Sequence, residues 1–281
     1  MPSLFSRRAN TTTGRVSFII LAGLLVLALA MFVRYRRRIV LPETPARHEQ
    51  SNDQSRSSSS SADVEIDIAP HQYAREHERM IQQDLRGRNI SDGRVLAAMA
   101  RVLRHHFVLE EWRDLAYADR PLPIGHSQTI SQPYIVALMT QLAEPEAHER
   151  ALDIGTGSGY QAAVLAELVK EVYSIEIVCP LADDAGNRLQ KLGYDNVDVR
   201  CGDGYRGLPD QAPFDVIIVA AAPDHVPQPL IDQLAVGGRL VMPVGSYWQD
   251  LIVIVKDADG GTSRHRVTGV RFVPFGSVEL S

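Results

Sequence analysis

The sequence predicts an α/β fold in which a doubly wound, mostly parallel β-sheet is covered by helices on both faces. Short, continuous apolar strands alternate with helical segments over residues 151–243, a pattern typical of parallel strands that are buried on both sides. Three closely spaced glycines, Gly155, Gly157 and Gly159, follow the first of these strands. The last two strands have no long helix between them, which predicts an antiparallel edge.

Extra helices and an irregular stretch are expected before the sheet. Apolar residues recur at helical spacing over Gln72–Leu85 and Asp92–Leu103, which predicts two small helices. The stretch Phe107–Ser131 is rich in Pro and Gly and is expected to be an irregular loop that holds functional side chains. A helix is predicted over Pro133–Leu142, and Ser131 before Gln-Pro is typical of an N-cap residue.

The alternating elements of the sheet follow in chain order. Strands are predicted at Ala151–Ile154, Val172–Ile177, Val197–Cys201, Asp215–Ala220 and Arg239–Pro243, and then at Leu251–Val255 and Arg266–Val273. Helices are predicted at Tyr160–Val169, Leu181–Leu192 and Pro229–Leu234.

The N-terminal part of the chain is predicted to lie outside this domain. A basic segment, 1–15, precedes an uncharged apolar run, 16–33, which is long enough for a helix across a hydrocarbon core about 30 Å thick. We predict a transmembrane anchor there, with a cleaved signal peptide as the alternative. Residues 34–70 lack apolar periodicity and predict a flexible linker, and residues 71–281 form the predicted globular domain. Arginines on both sides of the run only lean toward a cytoplasmic domain.

Charge and cysteine usage limit the classes of function. Residues 1–62 contain nine arginines and three acids and therefore carry +6, so that the total of −5 leaves −11 on residues 63–281. An acidic domain repels phosphate backbones, and we expect no nucleic-acid partner. The two cysteines, Cys179 and Cys201, have no metal-ligand spacing. We expect both to be reduced packing residues in a reducing compartment, and we expect no metal site.

Carboxylates around the glycines indicate which cofactor this crevice binds. The glycines alone are compatible with a dinucleotide site and with an ordinary strand-to-helix turn. Glu176 ends the second strand, 21 residues after Gly155, where an acid can accept hydrogen bonds from a ribose. Asp153 and Asp203 add two carboxylates at the same edge of the sheet. Acids beside the loop would repel a pyrophosphate but suit the ammonium and sulfonium of S-adenosylmethionine, which is the predicted cofactor.

Several segments resemble the protein-L-isoaspartate O-methyltransferase family over roughly residues 75–280. The similar segments are Leu122-Pro-Ile-Gly-His-Ser-Gln-Thr-Ile-Ser-Gln-Pro133, Leu152-Asp-Ile-Gly-Thr-Gly-Ser-Gly-Tyr-Gln161, Gly202-Asp-Gly204, Pro213-Phe-Asp215, Gly237-Gly-Arg-Leu240, Pro243-Val-Gly245 and Arg271-Phe-Val-Pro274. The part from Gln128 to Pro133 is the most specific. The sequence departs from the family at its N-terminus and at Arg104-His-His-Phe107, where bacterial members usually have a proline-led version.

The resemblance implies a seven-stranded S-adenosylmethionine-dependent methyltransferase sheet and a protein repair enzyme. Its substrate would be the free α-carboxylate of L-isoaspartyl and D-aspartyl residues in damaged proteins. The family's catalytic serine corresponds to Ser131. The cofactor pocket carries over to Gln128, Thr129, Ile130, Ser131, Asp153, Gly155, Gly157, Glu176, Asp203 and Gly204. Such a carboxylate is already ionised at neutral pH, so no catalytic histidine is required, and we assign none to His126.

Alternative functions remain open from the sequence. One is a methyltransferase for another carboxylate acceptor, and another is a membrane-tethered protein that binds S-adenosylmethionine without transferring its methyl group. Val219-Ala-Ala-Ala-Pro223 lacks the Asn/Asp-Pro-Pro-Tyr motif of many amino-group methylases, which disfavours nitrogen acceptors. The strand Arg266–Val273 and the loop Ser246–Trp248 are candidates for contacting an extended substrate peptide. For Tyr247 and Trp248, however, the sequence favours packing of the turn against the sheet.

Overall fold

The computed structural model describes residues 73–276. The predicted anchor at 16–33, the basic segment before it and the linker after it lie outside the described residues. Within the described range, no helix combines the length and the apolar character that crossing a membrane requires.

Two small helical segments precede the sheet, as the sequence predicts. Helix α1 (Ala74–Arg79) continues into a π-helical segment, Met80–Leu85, and a 3-10 turn, Arg86–Arg88. Helix α2 (Gly93–Arg101) begins after Asp92, whose side chain accepts hydrogen bonds from the two backbone amides that follow at positions 94 and 95. Asp92 is thus the N-cap and satisfies amides that have no partner inside the helix.

The stretch between α2 and the next long helix is more regular than expected. It contains 3-10 helices at Arg104–Phe107 and Glu110–Leu115, and a hairpin of strands β1 (Leu122–Gly125) and β2 (Gln128–Ile130). His126 and Ser127 form the turn with φ of 50° and 57°. Two-residue hairpin turns need this left-handed conformation, but His-Ser does not signal it as Asn-Gly would, so the hairpin could not be predicted from these residues.

A seven-stranded sheet with strand order β5-β4-β3-β6-β7-β8-β9 forms the centre of the domain. Its strands are β3 (Arg150–Ile154), β4 (Glu171–Glu176), β5 (Val197–Cys201), β6 (Phe214–Val219), β7 (Leu234–Val244), β8 (Gln249–Lys256) and β9 (Thr262–Val270). Strands β3 to β7 pair in parallel, and β8 and β9 pair antiparallel at one edge. The predicted fold class is confirmed.

Helices α3 (Pro133–Ala143), α4 (Tyr160–Ala166), α5 (Cys179–Lys191) and α6 (Gln228–Asp232) connect the strands. Successive residues of a strand point to opposite faces, and here both faces are apolar. In β6, Val216 and Ile218 belong to one buried cluster, whereas Ile217 and Val219 belong to the other. The continuous apolar strands in the sequence therefore reflect burial on both sides.

Several predicted boundaries are wrong by a few residues. Strand β7 begins at Leu234, which the sequence assigns to the preceding helix, and that helix ends at Asp232. Strand β9 lies at Thr262–Val270 rather than at 266–273. Leu234 is both apolar and adjacent to a helical pattern, so only its pairing with Phe214 across the sheet decides its state.

Candidate active site

A cavity opens at the carboxyl ends of the parallel strands, where the chain leaves β3 in one direction and β6 in the other. Ligands bind at such switch points in doubly wound sheets. Of the predicted site residues, those that line the cavity are Gln128, Thr129, Ile130, Ser131, Gly155, Gly157, Glu176 and Gly204. Asp153 and Asp203 do not line it.

Gly155 and Gly157 form a floor of the cavity without side chains, and Gly159 follows them as the N-cap of helix α4. Gly155, Gly157 and Gly159 have φ of 92°, 53° and 88°, a left-handed conformation that residues with a Cβ rarely adopt. A Cβ on Gly159 would lie 3.1 Å from Cδ1 of Leu189. The turn therefore requires glycine for its conformation and, at Gly159, also for close approach of helix α5.

Glu176 holds the glycine floor to the end of strand β4. Its Oε2 accepts a hydrogen bond from the backbone amide of Gly157 at 2.8 Å, and its Oε1 accepts one from Val178 at 3.0 Å. The residue is only 5% exposed, yet it lines the cavity. Each carboxylate oxygen retains further acceptor capacity, which is what binding of ribose hydroxyls needs.

Asp153 lies beneath the floor. It is fully buried, and its Oδ2 accepts a hydrogen bond from the Ser174 hydroxyl at 2.7 Å, while Oδ1 has no hydrogen-bond partner among the described residues. Burial raises the pKa of Asp153 to about 7; the Ser174 hydrogen bond opposes the rise, and the negative charge of Glu176 adds to it. The sequence places Asp153 correctly at the end of the strand that leads to the cavity. The prediction that its carboxylate lines the cavity is wrong, because the carboxylate faces the interior.

Asp203 acts on the backbone of its own loop. Its Oδ1 accepts a hydrogen bond from the amide of Tyr205 at 2.9 Å and so caps the 3-10 turn Gly204–Arg206. Gly204 itself is buried and forms part of the cavity wall.

The Gly204 position is expected to be sensitive to a single methyl group. A Cβ there would overlap the Cγ2 methyl of Ile154, which is fixed close to the β3 backbone. We expect Gly204→Ala to lower the free energy of unfolding by about 1–3 kcal/mol, the usual cost of overpacking, and to weaken binding of S-adenosylhomocysteine. Urea unfolding and titration calorimetry measure the two effects.

Gly186→Ala is the matched control for this substitution. Gly186 lies inside helix α5, and a Cβ there would meet its nearest neighbour, Val199 Cβ, at an ordinary 3.8 Å. Alanine is the better helix former, so this variant should gain up to about 1 kcal/mol. Equal stability changes in the two variants would contradict the proposed overlap at Gly204.

Ser131 lies where the cavity meets a second, open groove. It lines both, together with Thr129, Ala220, Val273 and Pro274. The prediction that Ser131 caps helix α3 is wrong, because Gln132 is the N-cap residue and its own side chain makes no capping bond. Asp119 replaces it by accepting hydrogen bonds from the Tyr134 amide at 3.0 Å and the Gln132 side-chain amide at 2.6 Å. The Ser131 hydroxyl is thereby left available.

The groove runs between helix α3 and the antiparallel edge of the sheet. Tyr134, Ile135 and Leu138 line one side, and every residue from Arg266 to Pro274 lines the other. A face of a strand would contribute alternate residues, so the unbroken run indicates that the strand's backbone edge borders the groove. The candidate loop at Ser246–Trp248 also lies here.

Tyr247 and Trp248 do not pack against the sheet as the sequence favours. They are 98% and 93% exposed, and both line the groove. Turn composition could not reveal this, because aromatic side chains in a turn are equally compatible with packing and with exposure.

The sequence analysis missed other residues that form or support the cavity. The C-terminal segment Val273–Gly276 forms one wall of the cavity and is held to Ala222 by two backbone hydrogen bonds. Tyr160 also lines the cavity, and the guanidinium of the fully buried Arg104 lies 4.9 Å from its ring centroid. Burial lowers the pKa of Arg104 to about 10, and the charge stays in place at neutral pH. Arg104 and Phe107, the two ends of Arg104-His-His-Phe107, thus pack against Tyr160.

The expectation of two reduced packing cysteines is wrong. Cys179 and Cys201 form a disulfide, and both residues are exposed to solvent. They are the first residue of α5 and the last residue of β5, and they are close in sequence to Ile177 and Gly204, which line the cavity. Their spacing along the chain does not predict a bond, because the pairing of β4 with β5 is what brings the two cysteines together.

Comparison with known proteins identifies the family. The sequence profile of the protein-L-isoaspartate(D-aspartate) O-methyltransferase family matches residues 75–280. This chain belongs to that family. It is 55% identical to the protein-L-isoaspartate O-methyltransferase of Gloeobacter violaceus over 196 residues, which are 69% of this chain and 96% of the relative. It is 54% identical to protein-L-isoaspartate O-methyltransferase 1 of Syntrophobacter fumaroxidans over 201 residues, covering 72% and 94%.

Solved structures of protein-L-isoaspartate O-methyltransferases have the same fold. One superposes with a TM-score of 0.66 at 29% identity and covers 72% of this chain and 66% of its own. A Plasmodium falciparum protein described as a putative member, in complex with S-adenosyl-L-homocysteine, gives a TM-score of 0.63 at 27% identity and covers 71% and 98%. The family uses S-adenosylmethionine as its methyl donor, and the cavity here fits such a ligand. A glycine floor and the acceptor oxygens of Glu176 suit a ligand that carries ribose hydroxyls and positive charge but no phosphate.

Proposed function

We propose that this chain is a protein repair methyltransferase that acts on the free α-carboxylate of L-isoaspartyl and D-aspartyl residues in damaged proteins. The observation that carries the proposal is the position of Ser131 at the junction between the cavity and the groove, since it lines both. Transfer between a small cofactor and a protein acceptor needs such a junction, because the two ligands must enter from different sides.

Ser131 is proposed to orient the acceptor. S-adenosylmethionine, when bound, supplies an electrophilic methyl group on a sulfonium. An α-carboxylate has a pKa of about 3.5 and is already ionised at neutral pH, so the chain needs no general base. The Ser131 hydroxyl can donate a hydrogen bond to one carboxylate oxygen and thereby fix the direction of the other.

The cavity walls are proposed to exclude water during the reaction. An anion and a cation neutralise each other as methyl transfer proceeds, and water slows such a step because it stabilises the separated charges. Ile130, Tyr160 and Phe275 line the cavity with apolar surface. Of the cofactor residues, we propose direct contacts for Gln128, Thr129, Ile130, Ser131, Gly155, Gly157, Glu176 and Gly204. Asp203 is proposed to support the site through the backbone of its loop, and Asp153 through its hydrogen bond with the Ser174 hydroxyl.

The groove is proposed to hold the damaged segment as an extended chain. Among the described residues β9 pairs with β8 on one side, and the backbone groups on its other side have no strand partner. The residues after β9 continue along the groove. Main-chain hydrogen bonds at such an edge recognise a peptide with little dependence on its sequence. This suits a repair enzyme, whose substrates share a lesion rather than a motif.

Trp248→Ala is expected to weaken binding of isoaspartyl peptides. An exposed aromatic side chain at a binding groove often contributes more than 1 kcal/mol, so KM should rise about fivefold to tenfold while kcat changes little. The free energy of unfolding should stay within about 0.5 kcal/mol, because the side chain is almost fully exposed. Steady-state kinetics with a synthetic isoaspartyl peptide tests this.

Val236→Ala is the control, because Val236 is 63% exposed and does not line the groove. Its kinetic constants should match those of the wild type. A normal KM in Trp248→Ala would remove the loop from the proposed binding surface.

Activity is tested with labelled S-adenosylmethionine and a pair of peptides that differ only in an isoaspartyl or a normal aspartyl linkage. The repair function predicts labelling of the isoaspartyl peptide alone, as a base-labile methyl ester. Labelling of both peptides would favour a methyltransferase for another carboxylate. Cofactor binding without labelling of either would favour a binding protein without transferase activity.

We also propose that residues 71–281 form the catalytic domain and that residues 16–33 anchor it to the cytoplasmic face of a membrane, with residues 34–70 as a tether. The proposal rests on the uncharged apolar run, the flanking arginines and the need for S-adenosylmethionine, which is made in the cytoplasm. A reporter fused at the C-terminus distinguishes the two sides. Activity of a reporter that functions only after export would refute this orientation.

A further inference from the structure

The two cysteines connect the segments that carry two walls of the cofactor cavity. Cys179 follows Glu176 and Ile177, which line the cavity, and Cys201 precedes Gly204, which also lines it. The Cα atoms of the two cysteines are 4.9 Å apart. A covalent bond at this place joins the end of strand β5 to the start of helix α5.

Backbone pairing transmits this connection to Glu176. Cys201 is the register partner of Glu176 in the parallel pair of β4 and β5, and the Gly202 amide donates to the Glu176 carbonyl at 2.9 Å. The Glu176 carboxylate in turn accepts from the Gly157 amide of the glycine floor. If the two cysteines become more mobile, the glycine floor and the wall that contains Gly204 therefore become more mobile as well.

Both cysteines are at the surface of the domain. Cys179 and Cys201 are exposed, unlike the buried cysteines that serve only packing. Neither residue lines the cavity. Opening the bond therefore removes no direct contact with the cofactor and changes only how firmly the surrounding segments are held.

We propose that Cys179 and Cys201 form a thiol–disulfide exchange site that sets the affinity of the cavity for its cofactor. The inference rests on the function proposed above. In the disulfide form, the cavity-lining segments next to the two cysteines are held in their binding arrangement. In the dithiol form, these segments must become ordered when the cofactor binds. Ordering costs affinity, so the dithiol form binds more weakly.

A low-molecular-weight disulfide such as oxidised glutathione is the oxidant that forms the protein disulfide. One protein thiolate attacks the reagent, forms a mixed disulfide and releases one small thiol. The second protein thiolate then attacks the mixed disulfide and releases the other small thiol. The protein thus loses two protons and two electrons, and the reagent is reduced to two thiols.

The test compares the full-length chain after equilibration with oxidised or with reduced glutathione. Alkylation followed by mass spectrometry counts the free thiols, and titration calorimetry measures the Kd of S-adenosylhomocysteine. We expect the Kd of the dithiol form to be about threefold to tenfold higher, which corresponds to the ordering of one or two side chains. Returning the reduced sample to oxidised glutathione should restore the lower Kd.

The double variant Cys179→Ser, Cys201→Ser is the control. Its Kd should equal that of the dithiol form and should not respond to glutathione. Equal Kd values for the two wild-type forms, a bond that glutathione does not reduce, or a redox response that persists in the double variant would each overturn the proposal. Failure of both forms to bind S-adenosylhomocysteine would instead refute the cofactor assignment on which the proposal rests.

Discussion

Ser131→Ala is expected to lower kcat/KM for an isoaspartyl peptide about a hundredfold, a typical loss when one positioned hydrogen-bond donor is removed from a reacting group. Its stability should be unchanged within about 0.5 kcal/mol, because helix α3 is capped without the Ser131 side chain. Binding of S-adenosylhomocysteine should change less than kcat, since the proposed role of the hydroxyl is to orient the acceptor. Kinetics, calorimetry and urea unfolding of the same preparation separate these effects.

Asp119→Ala is the reciprocal control for Ser131. The Asp119 carboxylate accepts a hydrogen bond from the Tyr134 amide, as a capping side chain would. Loss of this carboxylate should therefore cost about 1 kcal/mol of stability. The two variants therefore predict opposite patterns, with activity lost in one and stability lost in the other. Parallel losses of activity and stability in Ser131→Ala would assign Ser131 a structural role instead.

Asp153→Asn is expected to remove a large pH dependence of stability. Burial raises the pKa of Asp153 to about 7 in the folded chain, from 3.8 as the ordinary value. Below about pH 4 both states hold the proton, and above about pH 7 both have lost it. Between these values only the unfolded state has released its proton, so folding stability falls as the pH rises. The total loss from this one group is about 4 kcal/mol.

The measurement is the difference in the free energy of unfolding between wild type and Asp153→Asn, without cofactor, from pH 4 to pH 8. Asparagine cannot ionise, so the variant should gain on the wild type by about 4 kcal/mol across this range, and other titrating groups cancel in the difference. Ser174→Ala extends the test, because it removes the hydrogen bond that favours the ionised form. In this variant, the pH range over which the folding stability falls should therefore extend to higher pH. A difference that is constant with pH would show that the buried carboxyl is not perturbed.

The burial of the Asp153 carboxylate illustrates why the fold was easier to predict than the role of each site residue. The sequence placed Asp153 correctly beside the glycines, and spacing alone placed Glu176 at the end of the next strand. The sequence pattern does not show in which direction each of these side chains points. Asp153 points inward to Ser174, 21 residues away along the chain, and Asp203 bonds the backbone of its own turn.

Ser131 shows the same limit in another form. Ser-Gln-Pro before a helix is a sound local signal for a cap, but Gln132 takes the N-cap position and Asp119, from an earlier segment, accepts the hydrogen bond of the Tyr134 amide. The disulfide of Cys179 and Cys201, the exposure of Trp248 and the hairpin around His126 likewise depend on partners or turn geometry that local composition does not encode.

The sequence by itself determined the doubly wound sheet, the antiparallel edge, the cofactor edge with its glycine floor and the family of this protein. These follow from periodicity and from residue types with narrow conformational or chemical uses, which act over a few neighbouring positions. The tertiary structure decided which carboxylates face the cavity, what caps helix α3, where the substrate groove runs and which sulfurs meet. Each of these depends on contacts between segments far apart in the chain, and their free energy is set by burial and geometry after folding.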